Sequence, residues 1–106
     1  MKENKFQSDL INEIKDRFKG AVVLKNDEQY MQGVPDLTIL YKNHWAILEV
    51  KRAQDSPKQP NQEYYVDMFN AMSYSRFISP ENKEEVLDEL QRTFQTSRST
   101  RISKRK

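Results

Sequence analysis

The chain has 106 residues, of which 36% are hydrophobic and 32% charged, and its formal net charge is +2. One domain fills that length, and a core drawn from so few apolar side chains is small enough to want a supplement from a bound metal or a second subunit, so a homodimer is expected. The chain has no cysteine, which excludes disulfides and thiolate metal sites; it also lacks a long apolar run or a basic-then-apolar leader, so an intracellular, cytoplasmic protein without a membrane span is expected.

Apolar side chains recur at Phe6, Leu10, Ile11, Ile14 and Phe18, which predicts a helix over residues 5–19 that Gly20 terminates. Residues 21–25 read as a strand. Residues 36–41 and 44–52 read as two more, joined by the polar pair Lys42-Asn43. After a loop containing Pro57 and Pro60, residues 61–74 carry Tyr65, Met68, Phe69 and Met72 at helical spacing, and Pro60 suits the helix start. This aromatic and Met-rich helix could pack the sheet on one side and a second subunit on the other. Residues 75–78 form a short strand. The last helix, within residues 79–94, has Ser79 as its expected N-cap, Pro80 at its first position, and a stripe of Val86, Leu87, Leu90 and Phe94.

The net charge conceals an asymmetry. From Arg92 onward there are six basic residues and no acid, so the preceding body carries the other 12 basic residues against all 16 acids. Residues 1–95 are expected to form the single domain, and residues 96–106 a basic tail that is disordered when free. Two readings of the tail stand side by side: neutralisation of nucleic-acid phosphates, or a solvated terminus that keeps the protein in solution.

The stretch from Gly33 to Lys51 places acids where a half-buried strand pair seldom has them. Side chains alternate faces along a strand, so Trp45, Ile47, Glu49 and Lys51 share one side while Ala46, Leu48 and Val50 share the other. If Lys42-Asn43 is a two-residue loop, Tyr41 faces His44, Leu40 faces Trp45, and the register carried outward sets Asp36 opposite Glu49. Opposed Cβ atoms then lie about 4.5–5.5 Å apart, and like charges there are destabilising unless something positive intervenes. A divalent cation is the natural candidate, because Mg²⁺ takes oxygen ligands at about 2.0–2.1 Å. An odd loop length or a bulge would break this register.

The first helix offers a third acid. At roughly 100° per residue Glu13 falls about 20° from Phe6, at the border of the apolar stripe, whereas Asp9 and Asp16 lie further toward water. Glu13 is therefore the helix acid best placed to look inward. The alternative is a snorkelling glutamate or a surface ion pair with Arg17, which occupies the same sector.

Together these residues resemble the PD-(D/E)XK nuclease superfamily, and within it the small VRR-Nuc branch. Pro35-Asp36 matches the PD element, Glu49-Val50-Lys51 the E-x-K element, and Pro60-Asn61-Gln62 the glutamine motif of the following helix. The E-x-K triplet also occurs at Glu3-Asn4-Lys5, Glu13-Ile14-Lys15 and Glu81-Asn82-Lys83. Only Glu49-Val50-Lys51 ends an apolar strand and follows a Pro-Asp at a hairpin start. The chain departs from the branch at Gln59, where a serine is common, and at Tyr65, where a tryptophan is common.

The resemblance implies an α/β (α+β) fold with a restriction-endonuclease-like core: a helix, an antiparallel three-stranded unit, a helix, a short strand and a C-terminal helix. It implies an endodeoxyribonuclease dependent on Mg²⁺ or Mn²⁺, with Asp36, Glu49, the Val50 carbonyl and Glu13 holding the ion. Lys51 would orient the attacking water or pair with the scissile phosphate, and Gln62 would reach the metal water or a phosphate oxygen. Taken alone, Lys51 is more commonly a solvent-facing strand end, and the alternative for Gln62 is a helix-start residue bonding backbone. Branched DNA, above all four-way (Holliday) junctions or flaps, is the implied substrate, cut by a symmetric dimer to leave a 5′-phosphate and a 3′-hydroxyl; no nucleotide cofactor is implied.

Lys25, Arg52 and Lys58 flank the expected site in sequence and could contact phosphates, as could Arg98 and Arg101 in the tail. His44 lies at the opposite end of the hairpin and is not expected to act in catalysis. Trp45 reads as core or interface. The rival reading is a non-catalytic nucleic-acid-binding module of the same fold, and a further one is a small interaction protein whose acids are ion-pair partners. Against both stands the full set of Glu13, Asp36, Glu49 and Lys51, because a pure binder has no reason to oppose two acids beside phosphate.

Overall fold

The computed structural model describes residues 3–95. The elements run α1 (Glu3–Arg17), β1 (Val22–Lys25), β2 (Leu37–Tyr41), β3 (His44–Val50), α2 (Gln62–Met72), β4 (Ser75–Ile78) and α3 (Lys83–Gln95). The fold is α/β, with one four-stranded mixed sheet in the order β1-β2-β3-β4. β1, β2 and β3 form an antiparallel meander, and β4 joins β3 in parallel after the α2 crossover. The expected basic tail, with Arg98 and Arg101, lies outside the described residues.

The hairpin register is the one required by a two-residue loop: Tyr41 pairs with His44, Leu40 with Trp45 and Leu37 with Leu48. Lys42 makes the turn possible by taking a positive φ of 57°, the left-handed conformation that tight hairpin turns need.

Strand alternation then divides the molecule into two sides. Leu37, Ile39, Ala46, Leu48 and Val50 point to one side, where they pack with Phe6, Leu10, Ile14 and Phe18 of α1 and with Val86, Leu87, Leu90 and Phe94 of α3. This is the main core, and truncating one of its fully buried leucines to alanine costs about 2–5 kcal/mol. Rings of Phe18, Tyr41 and Phe94 close its far end with centroid separations of 5.3–5.5 Å. The second side carries Trp45, Ile47 and Glu49, and α2 covers it there, with Trp45 meeting Phe69 edge-on at 6.3 Å. α2 packs on β3 and β4, while Val22, Leu24 and Leu40 remain 40–49% exposed on the β1–β2 half.

Both later helices begin further along than the sequence signals suggest. Pro60 does not start α2, because Asn61 takes a left-handed φ of 72° as N-cap and helical geometry begins at Gln62. The inward face of α2 also differs: Gln62 and Val66 are its buried residues, whereas Met72 is exposed. Ser79 and Pro80 do not open α3 either. Asn82 occupies the cap position instead, its Oδ1 accepting the Ser79 N–H at 2.8 Å and its Nδ2 donating to the Phe77 carbonyl at 3.1 Å. The side-chain bonds of Asn82 hold residues 79–82 as a turn, so the helix waits until Lys83.

Among the described residues no helix is long and apolar enough to cross a membrane.

Candidate active site

The site lies where β2 begins and β3 ends. One step outward from the Leu37–Leu48 pair, Asp36 comes to stand opposite Glu49. Asp36 Oδ2 accepts the backbone N–H of Val50 at 2.8 Å, which ties the first acid to the strand that carries the second.

Glu49 is only 2% exposed, and a carboxylate so placed needs compensation for its lost hydration. Gln62 supplies part of it, donating through Nε2 to Glu49 Oε2 at 2.9 Å. Lys51 supplies more: its Nζ lies 3.9 Å from the same oxygen and donates to Gln62 Oε1 at 2.8 Å and to the Pro57 carbonyl at 3.1 Å. Gln62 Oε1 also accepts the Gln59 N–H at 2.9 Å. One buried carboxamide thus joins the second acid, the lysine and the loop before α2.

The backbone around this junction explains why those groups meet. Gly33 has a φ of +89°, and a Cβ placed on it would lie 2.6 Å from Asn61 Cβ and 3.0 Å from the Pro60 carbonyl oxygen. Only a glycine lets the β1–β2 loop pass so close beneath the start of α2. Asp36, three residues on from Gly33, lines the same pocket as Gln62. At the base of the loop, Asn26 donates twice, through its backbone N–H to the Asp36 carbonyl at 2.8 Å and through its Nδ2 to the Pro35 carbonyl at 2.8 Å.

Asp36, Glu49, Lys51, Arg52 and Gln62 all line one polar pocket of about 490 Å³. Glu28, from the β1–β2 loop, lines it too, and sequence reasoning did not single it out. The signal available was its position in the loop leading directly into Pro35-Asp36.

Glu13 is not brought to this pocket. α1 packs on the side of the sheet that bears Leu48 and Val50, whereas Glu49 projects from the opposite side, and Glu13 is not among the residues that line the pocket. Glu13 Oε1 instead accepts a hydrogen bond from Lys83 Nζ of α3 at 2.7 Å. That bond comes first among the influences that raise the lysine's pKa, and it outweighs the opposing effect of burial. Nor does Glu13 pair with Arg17, which bonds Asp88 and Gln91 of α3. Of the remaining cations, Lys25 is exposed at the end of β1, and Lys58 turns its ammonium over the Phe77 ring, 4.9 Å from the centroid. His44 lies at the far end, 5.5 Å from the ring of Phe94.

Among the described residues no three of His, Cys, Asp and Glu converge to hold a metal by themselves. The donor chemistry nevertheless fits a hard divalent cation, since Mg²⁺ is commonly held by one or two carboxylates, with waters and substrate phosphates completing its shell. Asp36 and Glu49 are such a pair.

No protein-family model matches the chain, and no curated protein matches it in sequence. Two solved structures share its fold. A "VRR_NUC domain protein" superposes with a TM-score of 0.63 at 20% identity, covering 84% of this chain and 87% of its own. A second, "VRR_NUC domain", superposes with a TM-score of 0.58 at 21% identity, covering 76% of this chain and 92% of its own. The likeness in fold spans the meander, the crossover helix and the closing strand and helix that the sequence led one to expect.

Proposed function

We propose that the protein is a metal-dependent endodeoxyribonuclease of the VRR-Nuc branch of the PD-(D/E)XK superfamily, selective for branched DNA. One observation carries the reading: Asp36, bonded to the N–H of Val50 next to Glu49, lines one pocket with Glu49, Lys51 and Gln62, the last two bonded to one another. Two acids placed together at a partly buried strand end cost stability, and a role in holding a cation explains the cost.

In this reading Asp36, Glu49 and the Val50 carbonyl hold Mg²⁺ or Mn²⁺, and the phosphate of the substrate completes the shell. When bound, the ion supplies charge neutralisation at the phosphate and lowers the pKa of water in the pocket. Lys51 sits beside Glu49 as a point charge for the scissile phosphate or the water that attacks it. Gln62 orients both groups, its Nε2 donating to Glu49 and its Oε1 accepting from Lys51. Arg52, at the mouth of the pocket, together with Lys25, Lys58, Arg98 and Arg101, takes neighbouring phosphates. Glu13 has no direct part.

A four-way junction is the preferred substrate, and a two-fold dimer suits its symmetry. The uncovered half of the sheet, with Val22, Leu24 and Leu40 exposed, supports a second copy as the subunit partner.

The reading is tested by incubating linear duplex, single strand, flap and four-way junction with Mg²⁺ or Mn²⁺, beside Lys51→Ala. The expected result is metal-dependent cutting of the branched substrates and its loss in the variant. Equal cutting of all four defeats structure selectivity, and binding without any cutting favours the non-catalytic module.

A further inference from the structure

Tyr30 is 88% exposed, the most exposed of the large hydrophobic side chains among the described residues. Its ring is displayed to water by a well-bonded stretch of backbone. The Tyr30 N–H donates to the Asp27 carbonyl at 3.1 Å, the Gln29 N–H to Asp27 Oδ1 at 2.9 Å, and the Val34 N–H to the Met31 carbonyl at 3.1 Å. The same loop is closed at its base by Asn26 on Pro35 and Asp36, and held under α2 by Gly33. These bonds fix the backbone beneath the ring, and at 88% exposure the ring adds little to the core, which leaves its face open to an external partner.

Beside the ring lies a groove of about 460 Å³, lined by Tyr30, Met31 and Val34 with Asn26 and Asp27 at its edge. Glu28, in the same loop, lines the pocket of Asp36 and Glu49. The groove and the catalytic pocket therefore flank a single short segment. Its chemistry selects among the parts of a nucleic acid: Asp27 repels a phosphate, whereas the apolar lining and the phenol face accept a flat, uncharged ring.

We propose that this groove takes an unpaired nucleobase of the DNA strand whose backbone enters the Asp36–Glu49 pocket, with the base stacked on Tyr30. The proposal rests on the nuclease reading and adds a physical source for its selectivity. In a continuous duplex both faces of every base are already covered by neighbours, so Tyr30 has nothing to stack on. At a flap or gap an unpaired base with a free face is available, and the ring captures it beside the cleavage site.

The test compares the full-length protein with Tyr30→Ala and Tyr30→Phe, using gapped or flap DNA that carries 2-aminopurine at the unpaired position and a fully paired duplex of the same sequence. Binding is followed by anisotropy and stacking by 2-aminopurine quenching, both in Ca²⁺, and cleavage separately in Mg²⁺. Tyr30→Ala is expected to lose the quenching and to bind unpaired DNA roughly ten-fold more weakly, as loss of a base–aromatic stack predicts, with duplex affinity and melting temperature unchanged. Tyr30→Phe is expected to behave as wild type. Equal weakening on both DNAs, no weakening on either, or a change in subunit number confined to Tyr30→Ala overturns the proposal, the last because it would make a second copy the occupant. Cleavage by wild type with no effect of Tyr30→Ala leaves the nuclease reading standing and removes this one. Selective quenching without any cleavage does the reverse, and failure of the wild type to bind DNA removes both.

Discussion

Lys51 Nζ lies 2.8 Å from Gln62 Oε1 while Gln62 Nε2 lies 2.9 Å from Glu49 Oε2. The carboxamide can serve both neighbours because it has an acceptor end and a donor end. Gln62→Ala leaves a buried carboxylate and a half-buried ammonium each short of a partner, and a stability loss on the order of 1–3 kcal/mol is expected. Urea denaturation of the metal-free protein measures it, and an unchanged midpoint would remove the bridge from this account.

Asp36→Asn separates fold from metal. The asparagine Oδ1 still accepts the Val50 N–H that Asp36 Oδ2 accepts at 2.8 Å, but the negative charge facing Glu49 is gone. The metal-free melting temperature should therefore hold or rise. Mn²⁺ should raise the melting temperature of the wild type by binding only the folded state, and that rise should vanish in the variant. A full Mn²⁺ shift in Asp36→Asn is incompatible with a cation held between the two acids.

The two glycines provide a matched comparison. Gly20 and Gly33 have nearly the same φ, +91° and +89°, yet a Cβ on Gly20 meets nothing within 4 Å, whereas one on Gly33 would press into Asn61. Gly20→Ala should cost only the left-handed backbone penalty, about 1–2 kcal/mol. Gly33→Ala should cost more and should also weaken Mn²⁺ binding, because relieving the clash moves Asp36 away from Gln62. Equal denaturation midpoints for the two variants would show that the loop does not need its close passage under α2.

The Glu13–Lys83 pair should matter to stability on the alkaline side and not to the metal. Hydrogen bonding to Glu13 is the first of the influences that raise the Lys83 pKa above its ordinary 10.5. A folded-state pKa above the unfolded one means that the stabilisation is fully present below about 10.5 and fades as pH rises through the folded value. Lys83→Met should thus lower the melting temperature at about pH 8, with the gap closing as pH rises through the raised folded-state value. Glu13→Gln should leave Mn²⁺ affinity unchanged by calorimetry; a loss comparable to that of Asp36→Asn would return Glu13 to the metal.

Glu89 shows the opposite linkage. Hydrogen bonding from Tyr74 at 2.7 Å, joined by the bond from Arg76 at 3.0 Å, lowers its pKa below the ordinary 4.5 despite burial acting the other way. Its contribution is present above about 4.5 and is lost as pH falls through the lower folded value. Glu89→Gln should therefore be less stable than wild type at neutral pH, and the difference should shrink in acid. A constant difference across an acid titration would mean that the carboxylate charge is not what Tyr74 and Arg76 hold.

Much of this molecule could be read from its residues in order. The apolar spacing of Phe6 to Phe18 and of Val86 to Phe94 fixes two helices whatever they pack against. Alternation along residues 44–50 decides which side chains share a face, and with Lys42-Asn43 as a two-residue loop it also decides that Asp36 meets Glu49. These are local rules, with periods of 3.6 and 2, and tertiary packing has little freedom to overrule them. Which face of the sheet each helix covers is a different kind of fact. Helical periodicity puts Glu13 near the apolar border of α1, but it carries no information about whether α1 lies on the side of Glu49 or of Leu48. Packing chose Leu48, and Glu13 went to Lys83. The same holds for Glu28 and Tyr30, which have no periodicity and owe their positions to Gly33 passing under Asn61. Contacts between segments distant in sequence depend on the volumes that fit together in three dimensions, and only the folded structure decides them.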